Sequence, residues 1–115
     1  MVKYIGAIII IIVVAAAIET GAGLDRAIDM LTLFFVIGVA VGHAFGAKDG
    51  ESKIMRFGDG CVRGGWLGFL VGISLIAGMD FAAQMDFSAI MPAMAVALLA
   101  PLYGYFFKII TMQLE

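Results

Sequence analysis

Four long stretches of the sequence contain no charged residue and consist almost entirely of apolar residues. They cover residues 4–18, 30–47, 64–79 and 87–107. A helix needs about 20 such residues to cross about 30 Å of hydrocarbon, and continuous apolar runs without period-2 alternation favour helices over a membrane barrel. The sequence therefore predicts an all-α polytopic membrane protein, a single transmembrane domain over 1–115. Its four transmembrane helices are predicted near 3–20, 28–47, 62–80 and 88–112, with a short cytoplasmic loop over 47–63.

Composition excludes several classes of protein. Of 115 residues, 63% are hydrophobic and 14% charged, whereas soluble domains carry about 25% charged residues. A soluble enzyme domain and a disordered regulator are both excluded. A net charge of −2 excludes an electrostatic nucleic-acid binder. One cysteine, Cys61, permits no intrachain disulfide and no cysteine zinc cluster. We expect no enzymatic activity, no metal and no cofactor.

The basic residues fall mainly on one side of the predicted spans. Arg26 alone is on the other side, which instead collects Glu19, Asp25, Asp29, Asp80 and Asp86. Positive charge marks cytoplasmic loops, so the distribution predicts an inner (cytoplasmic) membrane protein with both termini and the central loop in the cytoplasm. The basic residues on that side are Lys3, Lys48, Lys53, Arg56, Arg63 and Lys108.

Glycines recur every four residues in the second and third spans. They are Gly38, Gly42 and Gly46 in one span and Gly64, Gly68 and Gly72 in the other. Small residues at this spacing let another helix backbone approach closely in lipid. The partner helix could belong to the same chain or to a neighbouring subunit. Matching alanines in the fourth span favour oligomerisation.

No Asp, Glu, Lys or Arg is predicted well inside a span. Ion pathways usually need an ionisable group at membrane depth, so we expect another chain to supply it. Glu19, at the far end of the first span, is expected at the membrane surface. His43 has no second ligand nearby and is expected to be structural, bonded to a helix carbonyl.

Two prolines lie in the fourth span. Pro92 fits the first turn of a helix, where its missing N–H is harmless. Pro101 lies mid-span, where it frees the carbonyl of Ala97 and should kink the helix. A freed carbonyl at membrane depth needs a partner or a cavity.

The fourth span resembles that of a known family. Residues 92–99 read PAMAVALL and residues 102–104 read LYG. This string is similar to the fourth-helix signature of the MotA/PomA flagellar stator subunits, which belong to the MotA/TolQ/ExbB proton-channel superfamily. Residues 65–72, GWLGFLVG, resemble the family's third helix, and 86–90, DFSAI, resemble the segment before its last helix. The residues that carry the signature are Pro92, Ala93, Leu102, Tyr103 and Gly104.

The resemblance implies a MotA-like subunit of a homopentamer that surrounds the membrane helices of a single-span MotB/ExbD-like partner. The partner's membrane aspartate carries the proton or sodium ion, and the third and fourth helices line the ion path. The positions that the resemblance places toward this partner are Gly68, Phe69, Gly72, Ala93, Ala97, Ala100, Pro101 and Gly104.

The chain also departs from the family. The large cytoplasmic domain that contacts the flagellar rotor is reduced to residues 47–63, which excludes flagellar torque by that route. Phe69, Ala100 and Pro101 stand where sodium-type members carry threonines, which favours protons over sodium. The sequence describes a miniature stator-like subunit.

Two other interpretations remain open at this point. A small multidrug transporter matches in length and helix number, although such proteins resemble a pattern with a carboxylate deep in the first helix. A non-conducting structural scaffold is favoured by Phe69 and Pro101 in the expected ion path.

Overall fold

The computed structural model describes residues 2–21 and 29–115 of the chain, and these fold into helices joined by short turns. Arg26, Asp25 and most of the turn after the first span lie outside the described residues. The described helices are α1 (Val2–Gly21), α2 (Met30–Phe45), α3 (Lys53–Ala77), the short α4 (Asp80–Ala83) and α5 (Phe87–Leu114).

Three helices, α1, α3 and α5, are long and apolar enough to cross a membrane. The second predicted span forms α2, which has 16 residues and is about 24 Å long at 1.5 Å per residue. It is therefore shorter than a full crossing of a typical bilayer. The structure supports a membrane protein with three such helices and one shorter apolar helix.

The predicted cytoplasmic loop over 47–63 is much shorter in the structure, because α3 begins at Lys53. Ser52 caps this helix by accepting a hydrogen bond from the backbone N–H of Met55 at 3.3 Å. Gly58 and Gly60 do not break the helix, because both are buried against neighbouring helices. In a helix packed this closely, the helix–helix contacts that glycine permits offset its low helix propensity.

Helix α5 also differs from its predicted start. It begins at Phe87 because the carboxylate of Asp86 accepts hydrogen bonds from the backbone N–H and the hydroxyl of Ser88. Pro92 therefore lies in the second turn and not, as predicted, in the first. The helix continues through Pro92 and Pro101 to Leu114.

Helices α2 and α5 each pack antiparallel to α3 around a small core. Its buried residues are Val36, Ala40, Cys61 and Ala100, with Phe57, Tyr103 and Phe107 packed against them. Cys61 is fully buried and contributes to the packing of this core. Most of the packing is between α3 and α5 and between α2 and α3.

The molecule is a thin layer of helices. Its dimensions between Cα atoms are 52 × 36 × 15 Å, so it is much thinner in one direction than in the other two. Among the described helices, α1 packs on α5, and α2 packs mainly on α3 and also contacts α5. The order across the layer is therefore α2, α3, α5, α1, so that α2 forms one edge and α1 the other.

Candidate functional site

The centre of the layer is the contact between α3 and α5, where backbones touch directly. A Cβ added to Gly65 would lie 2.6 Å from the carbonyl oxygen of Ala100. A Cβ added to Gly104 would overlap the carbonyl oxygen of Cys61. Only glycine permits this approach, which closes the two helices against each other.

Beyond this contact, α2, α3 and α5 border an apolar cleft of about 540 Å³. Its floor is made of glycine and alanine, and its walls are larger apolar side chains. Thr32 brings the one hydroxyl among its lining side chains. The lining residues are Leu31, Thr32, Phe35, Gly68, Val71, Gly72, Leu75, Ile76, Ala93, Val96, Ala97 and Ala100. A floor without side-chain bulk leaves room for a helix or a lipid chain.

The residues predicted to face a partner divide into three groups. Five of them line the cleft, namely Gly68, Gly72, Ala93, Ala97 and Ala100. Pro101 and Gly104 are buried where α3 meets α5. Phe69 does not line the cleft; its ring meets that of Trp66 edge-on, with centroids 6.0 Å apart.

The two glycine strips have different surroundings. Gly64 lies against Val39 and the carbonyl oxygen of Val36, within the chain. Gly46 ends α2, and a Cβ there would come 2.7 Å from the Arg56 guanidinium. Gly38 and Gly42 are exposed, and nothing lies within 4 Å of a Cβ added to either one.

Hydrogen bonds of His43 join the end of α2 to the first half of α3. Its Nδ1 donates to the carbonyl oxygen of Arg56 at 2.8 Å, while Arg56 Nε donates to the carbonyl oxygen of His43 at 2.9 Å. Its Nε2 accepts from Arg63 Nη1 at 2.6 Å. Because arginine can only donate, these contacts require a neutral imidazole protonated on Nδ1. The expected structural histidine bonded to a carbonyl is confirmed.

Ion pairs gather at the same end of the layer. Lys108 Nζ lies 2.7 Å from Asp59 and 3.9 Å from Glu115, which joins α3 to the end of α5. Arg56 lies 3.7 Å from Glu51 of the α2–α3 turn. These side chains are partly exposed, and such pairs contribute about 0–1 kcal/mol each. They help to orient this end of the layer.

Asp29 lies in a position that differs from the one predicted from the sequence. The backbone N–H of Asp29 donates to the Tyr103 hydroxyl at 2.8 Å, although Asp29 was expected at the far membrane surface. The Asp29 carboxylate accepts a short hydrogen bond from the Thr32 hydroxyl. Glu19, in contrast, is exposed near the end of α1. The pairing of Asp29 with Tyr103 joins residues 74 positions apart, so no local sequence signal reveals it.

No protein-family model matches the chain, and no curated protein or solved structure is significantly similar to it.

Proposed function

We propose that the chain is a MotA-like ring subunit of an ion-driven membrane complex. Five copies surround a single-span partner helix pair that carries a membrane aspartate. The single observation that carries the proposal is the small-residue cleft between α2, α3 and α5, which contains five of the eight positions expected to face such a partner.

The shape of the subunit supports a ring. A layer much thinner than it is wide or long is suited to a wall, because it exposes apolar side chains on both faces. Its two edges are different helices, α1 and α2. Contacts between unlike edges are heterologous and close into a ring when the rotation per subunit permits.

The two edges also have surfaces of complementary shape. Gly38 and Gly42 leave a smooth strip on α2. Helix α1 presents large side chains, with Ile8 and Ile9 each 55% exposed and Ile12 60%. Branched side chains that fill a glycine strip give the close packing that drives helix association in lipid.

The lining of the cleft bears on the transported ion. Thr32 is the only residue with a hydroxyl among its lining residues, and the lining carries no charged side chain. Sodium prefers several oxygen ligands, as hard cations do. The cleft therefore favours a proton bound to a carboxylate over a coordinated sodium ion. The α2–α3 connection, residues 46–52, is too small to engage a rotor.

Cysteine cross-linking tests the ring. Gly6 lies against Gln113 and Gly58 against Thr111, while Gly60 lies against His43. These contacts place Ile9 of one edge and Gly42 of the other at similar depths. In a Cys61→Ala background, the pair Ile9→Cys and Gly42→Cys should give a cross-linked ladder that ends at five copies.

The matched control is Leu70→Cys with Gly42→Cys, because Leu70 is 59% exposed but belongs to α3, inside the layer. This pair should give no ladder. A ladder that ends at two copies would instead favour the dimeric transporter, and an absence of cross-links in membranes would refute the ring.

A further inference from the structure

The hydrogen bond between Asp29 and Tyr103 locates Asp29 within the apolar layer. Tyr103 is the seventeenth residue of α5, about 24 Å from the start of the helix at 1.5 Å per residue. Side chains on a helix lean toward its N-terminus, which brings the Tyr103 hydroxyl about one turn back. That position is near the middle of the charge-free stretch 87–107.

A second observation gives the same depth. Leu31 and Thr32, in the first turn of α2, line the cleft together with Gly72 and Ala97. Ala97 is the central residue of the stretch 87–107. The start of α2 is thus beside the middle of α5, so Asp29 lies inside the apolar layer and away from its rim.

The fold does not use the Asp29 carboxylate as a helix cap. Asp29 occupies the N-cap position of α2, but its side chain accepts no backbone N–H there. Instead it accepts from the Thr32 hydroxyl. The ion pairs among the described residues are made elsewhere, by Arg56 and Lys108. A carboxylate at membrane depth is costly and is typically part of an ion or proton path.

We propose that Asp29 is a proton-binding carboxylate of the membrane interior, hydrogen-bonded to the Thr32 hydroxyl and backed by Tyr103. This inference goes beyond the ring proposed above, because the chain itself supplies an ionisable group beside the cleft. It holds for a single subunit, so it does not depend on the partner.

The proton step is a simple exchange at one oxygen. In the ionised state the Thr32 hydroxyl donates to Oδ2 of Asp29. When a proton arrives, an O–H bond forms on Oδ2 and the hydrogen bond reverses, so that Oδ2–H donates to Thr32 Oγ1. Release reverses these steps.

The titratable groups of the described helices lie at different distances from this site. On α1, Glu19 is about 20 Å along the helix from Gly6, which lies against Gln113, so it reaches a similar depth. On α5 the facing group is Tyr103. On α2, His43 is 14 residues away, about 21 Å along the helix. On α3 the nearest charged residue in sequence to the cleft is Arg63, which is bound to His43. Asp25 and Arg26 precede Asp29 in sequence and lie outside the described residues.

Infrared difference spectroscopy tests the proposal on the purified full chain in lipid. Lowering the pH should produce a narrow carboxyl C=O band from a non-aqueous site, separate from the broad band of water-exposed acids. Asp29→Asn should lose this band while keeping the bond from Thr32, because the amide oxygen still accepts. The control Asp80→Asn, at the exposed start of α4, should keep it.

Thr32→Val gives a second readout that does not remove the carboxyl group. It should keep the band but shift its frequency, because the O–H of the protonated carboxyl group loses its acceptor. The proposal is overturned if the wild type shows no separate band, if Asp29→Asn leaves the band unchanged, or if Thr32→Val leaves its frequency unchanged. A failed five-copy ladder would not affect these results, so the two proposals fail independently.

Discussion

The buried glycines of α3 and α5 and the exposed glycines of α2 have opposite surroundings. A Cβ on Gly65 or Gly104 would collide with the backbone of the facing helix. A Cβ on Gly38 or Gly42 would meet nothing. Both sets lie in apolar spans, and the sequence gives no reason to separate them. The difference indicates that one set closes the subunit and that the other is left for contact with another molecule.

The strongest test of this comparison is to replace a buried glycine of α3 with alanine. Gly65→Ala should destabilise the chain by about 3 kcal/mol, because the new methyl group forces two backbones apart. Unfolding in mixed detergent measures this change. Gly38→Ala is the control, and it should be neutral or stabilise by about 0.5–1 kcal/mol, since alanine favours a helix. Equal effects at the two positions would remove the distinction.

The next largest effect is expected for the hydrogen bonds that the His43 side chain makes with α3. His43→Leu should cost about 2 kcal/mol, because the imidazole bonds to the Arg56 carbonyl and to Arg63 are lost and the Arg56 carbonyl stays partly buried. The same unfolding measurement applies. Lys53→Ala, at the exposed start of α3, serves as control and should change stability by less than about 0.5 kcal/mol. A change for His43→Leu as small as the control's would mean that packing alone holds α2 to α3.

Replacing an exposed glycine of α2 with a large residue should weaken self-association and leave the fold of the subunit intact. Gly42→Leu should weaken self-association about tenfold, equivalent to about 1.4 kcal/mol, with no loss of helix content. Analytical ultracentrifugation in detergent measures the first quantity and circular dichroism the second. Unchanged association with Gly42→Leu would show that the open strip faces lipid.

The smallest effect concerns a position where the backbone itself favours glycine. Met85, in the turn before α5, has a φ of 58° and is 66% exposed. A side chain in this left-handed region costs about 1 kcal/mol. Met85→Gly should therefore raise the free energy of unfolding by roughly that amount, and Gln84→Gly, at a φ of −85°, should lower it. A destabilised Met85→Gly would show that the methionine side chain contributes packing that outweighs the strain.

Much of the architecture could be predicted from the sequence, because charge-free runs mark apolar helices directly. The start of α3 could not, because Gly58 and Gly60 suggest a loop until their packing against α5 and α2 is known. The depth of Asp29 could not either, since it depends on Tyr103, 74 residues away. Small-residue spacing predicts Gly68 and Gly72 as contact positions, whereas the partner-facing role of the cleft residues comes from the resemblance. Phe69 shows the limit of the resemblance, because its ring packs on Trp66.

The role of the cleft between α2, α3 and α5 is tested most directly by imaging the assembly extracted from membranes with its native lipids. A reconstruction by electron cryomicroscopy should show five subunits around one axis, with Ala97 and Gly72 facing a central helix density. A monomer, a dimer or a ring whose cleft faces lipid would contradict the proposed function.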